Sequence, residues 1–311
     1  MKKGFLFIIF VLIKLTCNAT EIILTDLQIR AICPSSGIDH KIAALIAAIL
    51  GCKFEYSTGT SDDQVYSDPN AKADQLVEAV NSDEPILWFI RGGYGIDAIL
   101  GVLCKKSLPN ASKKIIIGYS DGTAFLIYMS QKYGCTAING PFLKDLALRD
   151  KSPESSRLLL NFLRKKSSTL AIRDLVPLNQ AARNSTRLCG KTTGGNLTCI
   201  ISTIGTPWQI QTAGKILFLE DVNVEGYRFH RLLVHMLNAG LIKDVVAIIF
   251  GDCGKKVDPV IIHFATGNNI PVFKSCLFGH GKNNNPWGYG FNGVISKQKG
   301  RYEIRMCNPN C

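Results

Sequence analysis

The 311-residue sequence is as informative for what it lacks as for what it contains. No apolar run approaches the roughly 20 residues that a membrane-spanning helix needs. No C-x-x-C pair occurs, which argues against a zinc site of the usual spacing. Neither the G-x-G-x-x-G fingerprint nor a Walker pattern is present, which removes the common phosphate-cradling loops. There is no internal repeat and no low-complexity tract, so solenoids and disordered tails are excluded. Histidine is scarce, with five in the chain, so each can be weighed as a catalytic base. The formal charge of +12 comes from scattered lysines and arginines with no interleaved aromatic stripe. Such a balance favours anionic surroundings, but it carries no nucleic-acid motif, and no nucleic-acid partner is expected.

What is present begins with "MKKGFLFIIFVLIKLTCNAT". Lys2 and Lys3 precede a short apolar core, Phe5 to Ile13, and small polar residues follow. That order fits a secretory signal peptide over 1–19, removed after Ala19, and an exported, periplasmic protein. Without it the charge falls to about +9 and ten of the eleven cysteines remain. An even count in an exported chain permits disulfides, Cys307 and Cys311 in "CNPNC" among them, although Cys33, Cys52 and Cys135 read as buried thiols.

The body of the chain, 46% hydrophobic and 19% charged, has the composition of a folded globular protein. Apolar strands alternate with helical stretches: "LQIRAIC", "HKIAALIAAILGC", "KFEYST", "AKADQLVEAVNS", "PILWFIRGGYG", "KKIIIGYSDG". This alternation implies α/β architecture with a parallel sheet covered on both faces, and ligands gather at the carboxyl ends of such strands. The polar stretch 166–190 reads as a linker between an N-terminal domain over 20–165 and a strand-rich, mixed α/β C-terminal domain over 191–311.

At one strand end, Gly118, Ser120 and Gly122 fit G-x-S-x-G, the spacing of a sharp strand-to-helix turn that exposes a serine hydroxyl. A serine nucleophile needs a base, usually an imidazole oriented by a carboxylate. His230 and His235 lie five apart on one helix and face different ways, His263 has a packing explanation, and His40 begins a helix. His280 stands between Gly279 and Gly281 after the strand "PVFKSCLF", where a side chain can leave the sheet and reach a neighbour. The carboxylate should also stand at a strand end, and Glu220, Asp221 and Asp252 all qualify. Adjacent strand residues point to opposite faces, so at most one of Glu220 and Asp221 can serve. An oxyanion site would take the Asp121 N–H, after the nucleophile, and a second from the RGGYG turn, best Gly93.

These segments together resemble the LD-carboxypeptidase family of serine peptidases, which includes muramoyltetrapeptide carboxypeptidases and microcin C self-immunity proteins. The likeness rests on ICPSSG, RGGYG, GYSD, GGNL, FLED and GHG in this order. It implies Ser120 as nucleophile, Glu220 as triad carboxylate and His280 as base. It also implies a Rossmann-like N-terminal domain, a smaller C-terminal domain supplying Glu220 and His280, often a homodimer, and no cofactor or metal. The implied substrate is a muropeptide, a peptidoglycan tetrapeptide that loses its terminal D-alanine. Arg91, Arg231 and Lys282 are candidates for the substrate carboxylate, and Asn196 for the cleft wall. The export leader, Cys33 and the CNPNC tail depart from the family pattern. A toxin-cleaving self-immunity peptidase, an α/β-hydrolase esterase and a wall-binding module without catalysis are the competing readings.

Overall fold

The computed structural model describes residues 22–51, 68–148 and 150–309. The expected leader and the strand expected over 53–58 lie outside these residues. Among the described residues no helix is long and apolar enough to cross a membrane.

Four strands of the N-terminal half run parallel: β1 (Ile29–Ile32), β2 (Ile86–Phe89), β3 (Ile115–Gly118) and β4 (Thr136–Asn139). All four residues of β2 are buried, as a strand covered by helices on both faces requires. The helices fall where the sequence places them: His40–Leu50, Pro69–Asn81, Ile96–Leu103 and Thr123–Tyr133. The first is capped by Asp39, whose carboxylate accepts the Lys41 and Ile42 N–H groups. Helix Thr123–Tyr133 is unusual in that every residue from Thr123 to Met129 is buried. An all-round buried helix must be covered on every side, and this one packs between β4 on one flank and the second sheet on the other.

That second sheet is a closed barrel of seven strands. Its members are β5 (Thr169–Pro177), β6 (Arg187–Asn196), β7 (Lys215–Glu220), β8 (Ala247–Asp252), β9 (Val272–Gly279), β11 (Asn292–Gln298) and β12 (Arg301–Cys307). The pairs from β6 to β9 are parallel and the rest antiparallel. The short β10 (Trp287–Gly288) leaves the barrel's run of sequence and joins the first sheet, antiparallel to β4. The architecture is therefore the expected α/β, with a parallel N-terminal sheet and a strand-rich C-terminal half.

Residues 166–190 are not a linker. They hold β5, the helix Gln180–Asn184 and the start of β6. Leu170, Ile172 and Leu175 point into the barrel while the polar residues between them face outward. A strand buried on one face leaves its other face free for polar residues, and those residues make the segment read as a polar connection.

The two halves share a core. Trp287 of β10 stacks on Phe218 of β7 with ring centres 4.5 Å apart, and packs on Tyr289 at the same separation. Phe218 and Trp287 are fully buried. Replacing Trp287 by Ala should cost about 3–5 kcal/mol, the usual range for a buried tryptophan. Denaturant unfolding should show both sheets melting together at a lower midpoint; a shift confined to one transition would refute the shared core.

Candidate active site

The site is assembled at the carboxyl ends of strands from both sheets. β3 ends at Gly118, and Ser120 follows with φ of 57°, in the left-handed region. A non-glycine residue there is strained by about 1–3 kcal/mol and persists only where its surroundings hold it. The holding surface is the Phe89 ring of β2. A Cβ at Gly118 would lie 2.8 Å from that ring, and one at Gly122 would lie 3.1 Å from it. The two glycines that flank the serine are thus the room in which an aromatic floor approaches the turn.

The Ser120 hydroxyl meets His280 Nε2 at 3.0 Å, and His280 Nδ1 meets Glu220 Oε2 at 2.6 Å. An ionised carboxylate can only accept, so Nδ1 carries the proton and Nε2 accepts from the serine. Glu220 is 1% exposed at the end of β7, and His280 leaves the end of β9. Alternation along β7 separates the two acids that sequence left open. Asp221 turns the other way and accepts from Thr198 N and Oγ1, at 3.0 and 2.7 Å. It thereby satisfies an N–H in the first turn of the short helix Leu197–Ser202, whose N-cap is Asn196. Asp252 accepts from Gly254 N at 3.0 Å and lies against Gly281.

The RGGYG turn lies beside Ser120. Gly92 sits against Ser120, since a Cβ there would come within 3.3 Å of Ser120 Cβ. Gly93 has φ of 142° and its missing Cβ would overlap Ser36 Oγ, which accepts the Tyr94 N–H at 3.3 Å. The Asp121 carboxylate, buried behind the elbow, accepts from Ile96 N at 3.2 Å. ICPSSG, RGGYG and GYSDG are therefore one knot of three loops.

Other assigned residues are placed differently. Asn196 is 5% exposed, and its amide donates to Glu220 Oε1 at 3.3 Å and Asp221 Oδ1 at 3.0 Å. It orients the carboxylates and has no face left for a cleft wall, which corrects the expected substrate contact. Burial at the junction of β6 and the nucleophile helix is the reason: Asn196 N donates to Thr123 Oγ1 at 3.1 Å. Arg91 donates to Gly37 O at 3.2 Å, while Arg231 and Lys282 are exposed. Cys33 and Cys135 are buried as expected, Cys307 is an exposed thiol, and Cys52 and Cys311 lie outside the described residues. Among the described residues no group of three or more His, Cys, Asp or Glu could hold a metal ion.

Lys151 escaped the sequence reading altogether. It is 8% exposed, and its ammonium donates to His280 O at 2.9 Å and Gly281 O at 2.7 Å. It also stands 5.3 Å from the centre of the Tyr119 ring, and that ring stacks on Phe142 at 4.1 Å and meets the His280 ring at 5.1 Å. Burial holds the Lys151 ammonium below its usual pKa, while Asp145 and Glu220 pull it back up. Its signal was a lone lysine in a polar run, which normally marks a solvated surface.

Comparison with known proteins fits this geometry. The N-terminal domain of the LD-carboxypeptidase family matches residues 29–140, and its C-terminal domain matches 189–295. A candidate carboxypeptidase of Rickettsia conorii is 40% identical over 289 residues, 89% of this chain and 90% of the relative. The chain belongs to the LD-carboxypeptidase family. A murein tetrapeptide carboxypeptidase of Pseudomonas aeruginosa is 29% identical over 277 residues, 86% of each chain. In fold, this LD-carboxypeptidase superposes on a muramoyltetrapeptide carboxypeptidase from Oxalobacter formigenes with a TM-score of 0.73. That match covers 90% of this chain and 98% of the other at 22% identity.

Two outcomes are expected here. Lys151→Met leaves two part-buried carbonyls without their donor, so stability should fall by about 1–3 kcal/mol; calorimetry beside turnover should show the rate falling too, and unchanged values of both would refute the clamp. Desolvation raises the Asp121 carboxyl to about 6 from 3.8. The folded state then binds its proton more tightly than the unfolded state, so this group withdraws stability as pH rises from about 4 to about 6. Asp121→Asn should flatten that slope by up to about 3 kcal/mol, read as the difference between the two proteins' unfolding free energies across that window.

Proposed function

We propose that this LD-carboxypeptidase is a serine peptidase that removes the terminal D-alanine from peptidoglycan tetrapeptides, cutting the amide after the L-centre of the diamino acid. The observation that carries the reading is the row Ser120–His280–Glu220, hydrogen-bonded at 3.0 and 2.6 Å across three strand ends. The murein-specific name of the Pseudomonas relative supports the substrate class.

In this reading His280 Nε2 takes the Ser120 proton as Oγ attacks the scissile carbonyl, and Glu220 stabilises the imidazolium. The tetrahedral oxyanion is met by the Asp121 and Gly93 N–H groups; losing one such donor costs about 2.7–4 kcal/mol of barrier. His280 then gives its proton to the departing D-alanine amine, and water, activated by the same imidazole, hydrolyses the acyl-serine. Arg91 flanks the glycine turn at the mouth of the elbow and is the cation proposed to receive the D-alanine carboxylate. The amino-terminal leader would deliver the enzyme outside the cytoplasm, where its substrates are wall peptides in place.

Mass spectrometry of purified muropeptides incubated with each protein tests this. Wild type should release one alanine, converting tetrapeptide to tripeptide, and Ser120→Ala should be slower by on the order of 10⁴–10⁶-fold. Equal release by both, or cleavage of simple acyl esters in preference to tetrapeptide, would sink the assignment.

A further inference from the structure

Toward the C-terminal end of helix Thr123–Tyr133 lies a cavity of about 280 Å³. Its walls come from the last turns of helix Thr123–Tyr133 (Ser130, Gln131), from β6 (Lys191, Thr193), from the first residue of β7 (Lys215), and from Tyr289. Lys215 is five residues before Glu220, so the cavity stands about 16 Å along β7 from the triad carboxylate. It is a separate place.

Its charge is unbalanced. Lys191 and Lys215 are register partners in the parallel β6–β7 pair, so their side chains leave the same face of the sheet beside each other. Like charges in that position destabilise a sheet. No acidic residue lines the cavity. Among the described residues neither ammonium makes an ion pair or a hydrogen bond, in contrast to Lys151, which has two carbonyls. Lys215 is half-buried, and burial together with Lys191 pushes its pKa down. The helix end nearby offers partial negative charge, but that amounts to about half a charge against two full ones. Roughly one and a half positive charges therefore lack a counter-charge inside a polar, walled space with a serine and a threonine hydroxyl at hand.

We propose that this cavity binds a phosphate dianion, free or as a phosphomonoester, between the Lys191 and Lys215 ammonium groups, with the Ser130 and Thr193 hydroxyls as hydrogen-bond donors. A dianion cancels both charges, and a tetrahedral group offers enough acceptor oxygens for ammonium and hydroxyl donors arriving from different walls. A cavity of 280 Å³ accommodates phosphate and a small organic substituent, though not a polymer.

Titration of the full-length protein with inorganic phosphate, ribose 5-phosphate, acetate and chloride at matched ionic strength, followed by calorimetry and thermal unfolding, tests this. Wild type should bind one phosphate or phosphomonoester per chain and melt higher in its presence. Lys215→Met should bind at least about tenfold more weakly. Without phosphate it should melt at or above the wild-type temperature, since the lysine repulsion is gone. Lys191→Met, on the exposed rim, repeats the measurement should Lys215→Met fold poorly. Tighter binding of ribose 5-phosphate identifies an ester as the ligand, and tighter binding of inorganic phosphate identifies the free ion. Absence of binding beyond chloride, acetate equalling phosphate, or undiminished affinity in both lysine variants would overturn the proposal.

Discussion

A serine held in left-handed backbone between a strand and a helix is the constraint around which this molecule is arranged. The strain at Ser120, about 1–3 kcal/mol, is a sizeable fraction of the roughly 5–15 kcal/mol that stabilises a domain, and nothing local to the turn would maintain it. It is maintained by what lies beneath and beside it. The Phe89 ring presses into the space left by Gly118 and Gly122. The buried Asp121 carboxylate ties the turn to the start of helix Ile96–Leu103. Gly92 closes on the serine from the other side. The G-x-S-x-G spacing is therefore a statement about packing density as much as about chemistry: it records where an aromatic floor needs two missing side chains.

Ser120 belongs to one sheet and His280 and Glu220 to the other, so their hydrogen-bonded row exists only because the sheets are locked together. Two devices lock them. β10 carries Trp287 out of the C-terminal half and pairs it with β4, which also covers what would be an open sheet edge. Lys151, from the N-terminal half, holds the His280 and Gly281 carbonyls directly. A hydrogen bond of 3.0 Å between Ser120 and His280 tolerates displacements of a few tenths of an ångström. Precision of that order across two sheets requires the shared core. This is also why every residue from Thr123 to Met129 of the helix after Ser120 is buried.

Local signals were legible in the sequence because they are local. The strand ends, the elbow, the glycine-flanked histidine and the helices each depend on a few neighbouring residues, and each lies where the pattern places it. What depends on long-range packing was not. β5 hid in a polar segment because a barrel strand buries one face, and half-buried alternation resembles a loop when read residue by residue. Asn196 looked like a turn residue open to a ligand, but the partners that occupy it, Glu220, Asp221 and Thr123, come from distant points of the chain. The choice between Glu220 and Asp221 was narrowed by strand alternation and settled by family resemblance; spacing alone could not say which face of β7 looks toward His280.

The electrostatics around the imidazole follow from the same division of labour. Glu220, Asp145 and Lys151 are all nearly buried within one neighbourhood, and isolated buried charges would each be expensive. In the proposed reaction Lys151 sits close to the imidazole that would gain positive charge, which by itself would oppose that charge. Its ammonium, however, faces the backbone carbonyls of the histidine loop, and the Tyr119 ring lies against both groups. The nearest full charge on the imidazole itself is Glu220, at 2.6 Å. Asp145 offsets the lysine, and its own carboxyl is pushed up by burial while Lys151 and Tyr119 draw it back down. The lysine thus fixes the position of the base through its main chain, and the carboxylate supports the charge through its side chain. The two contacts reach different parts of the histidine, so each can be removed by substitution without touching the other.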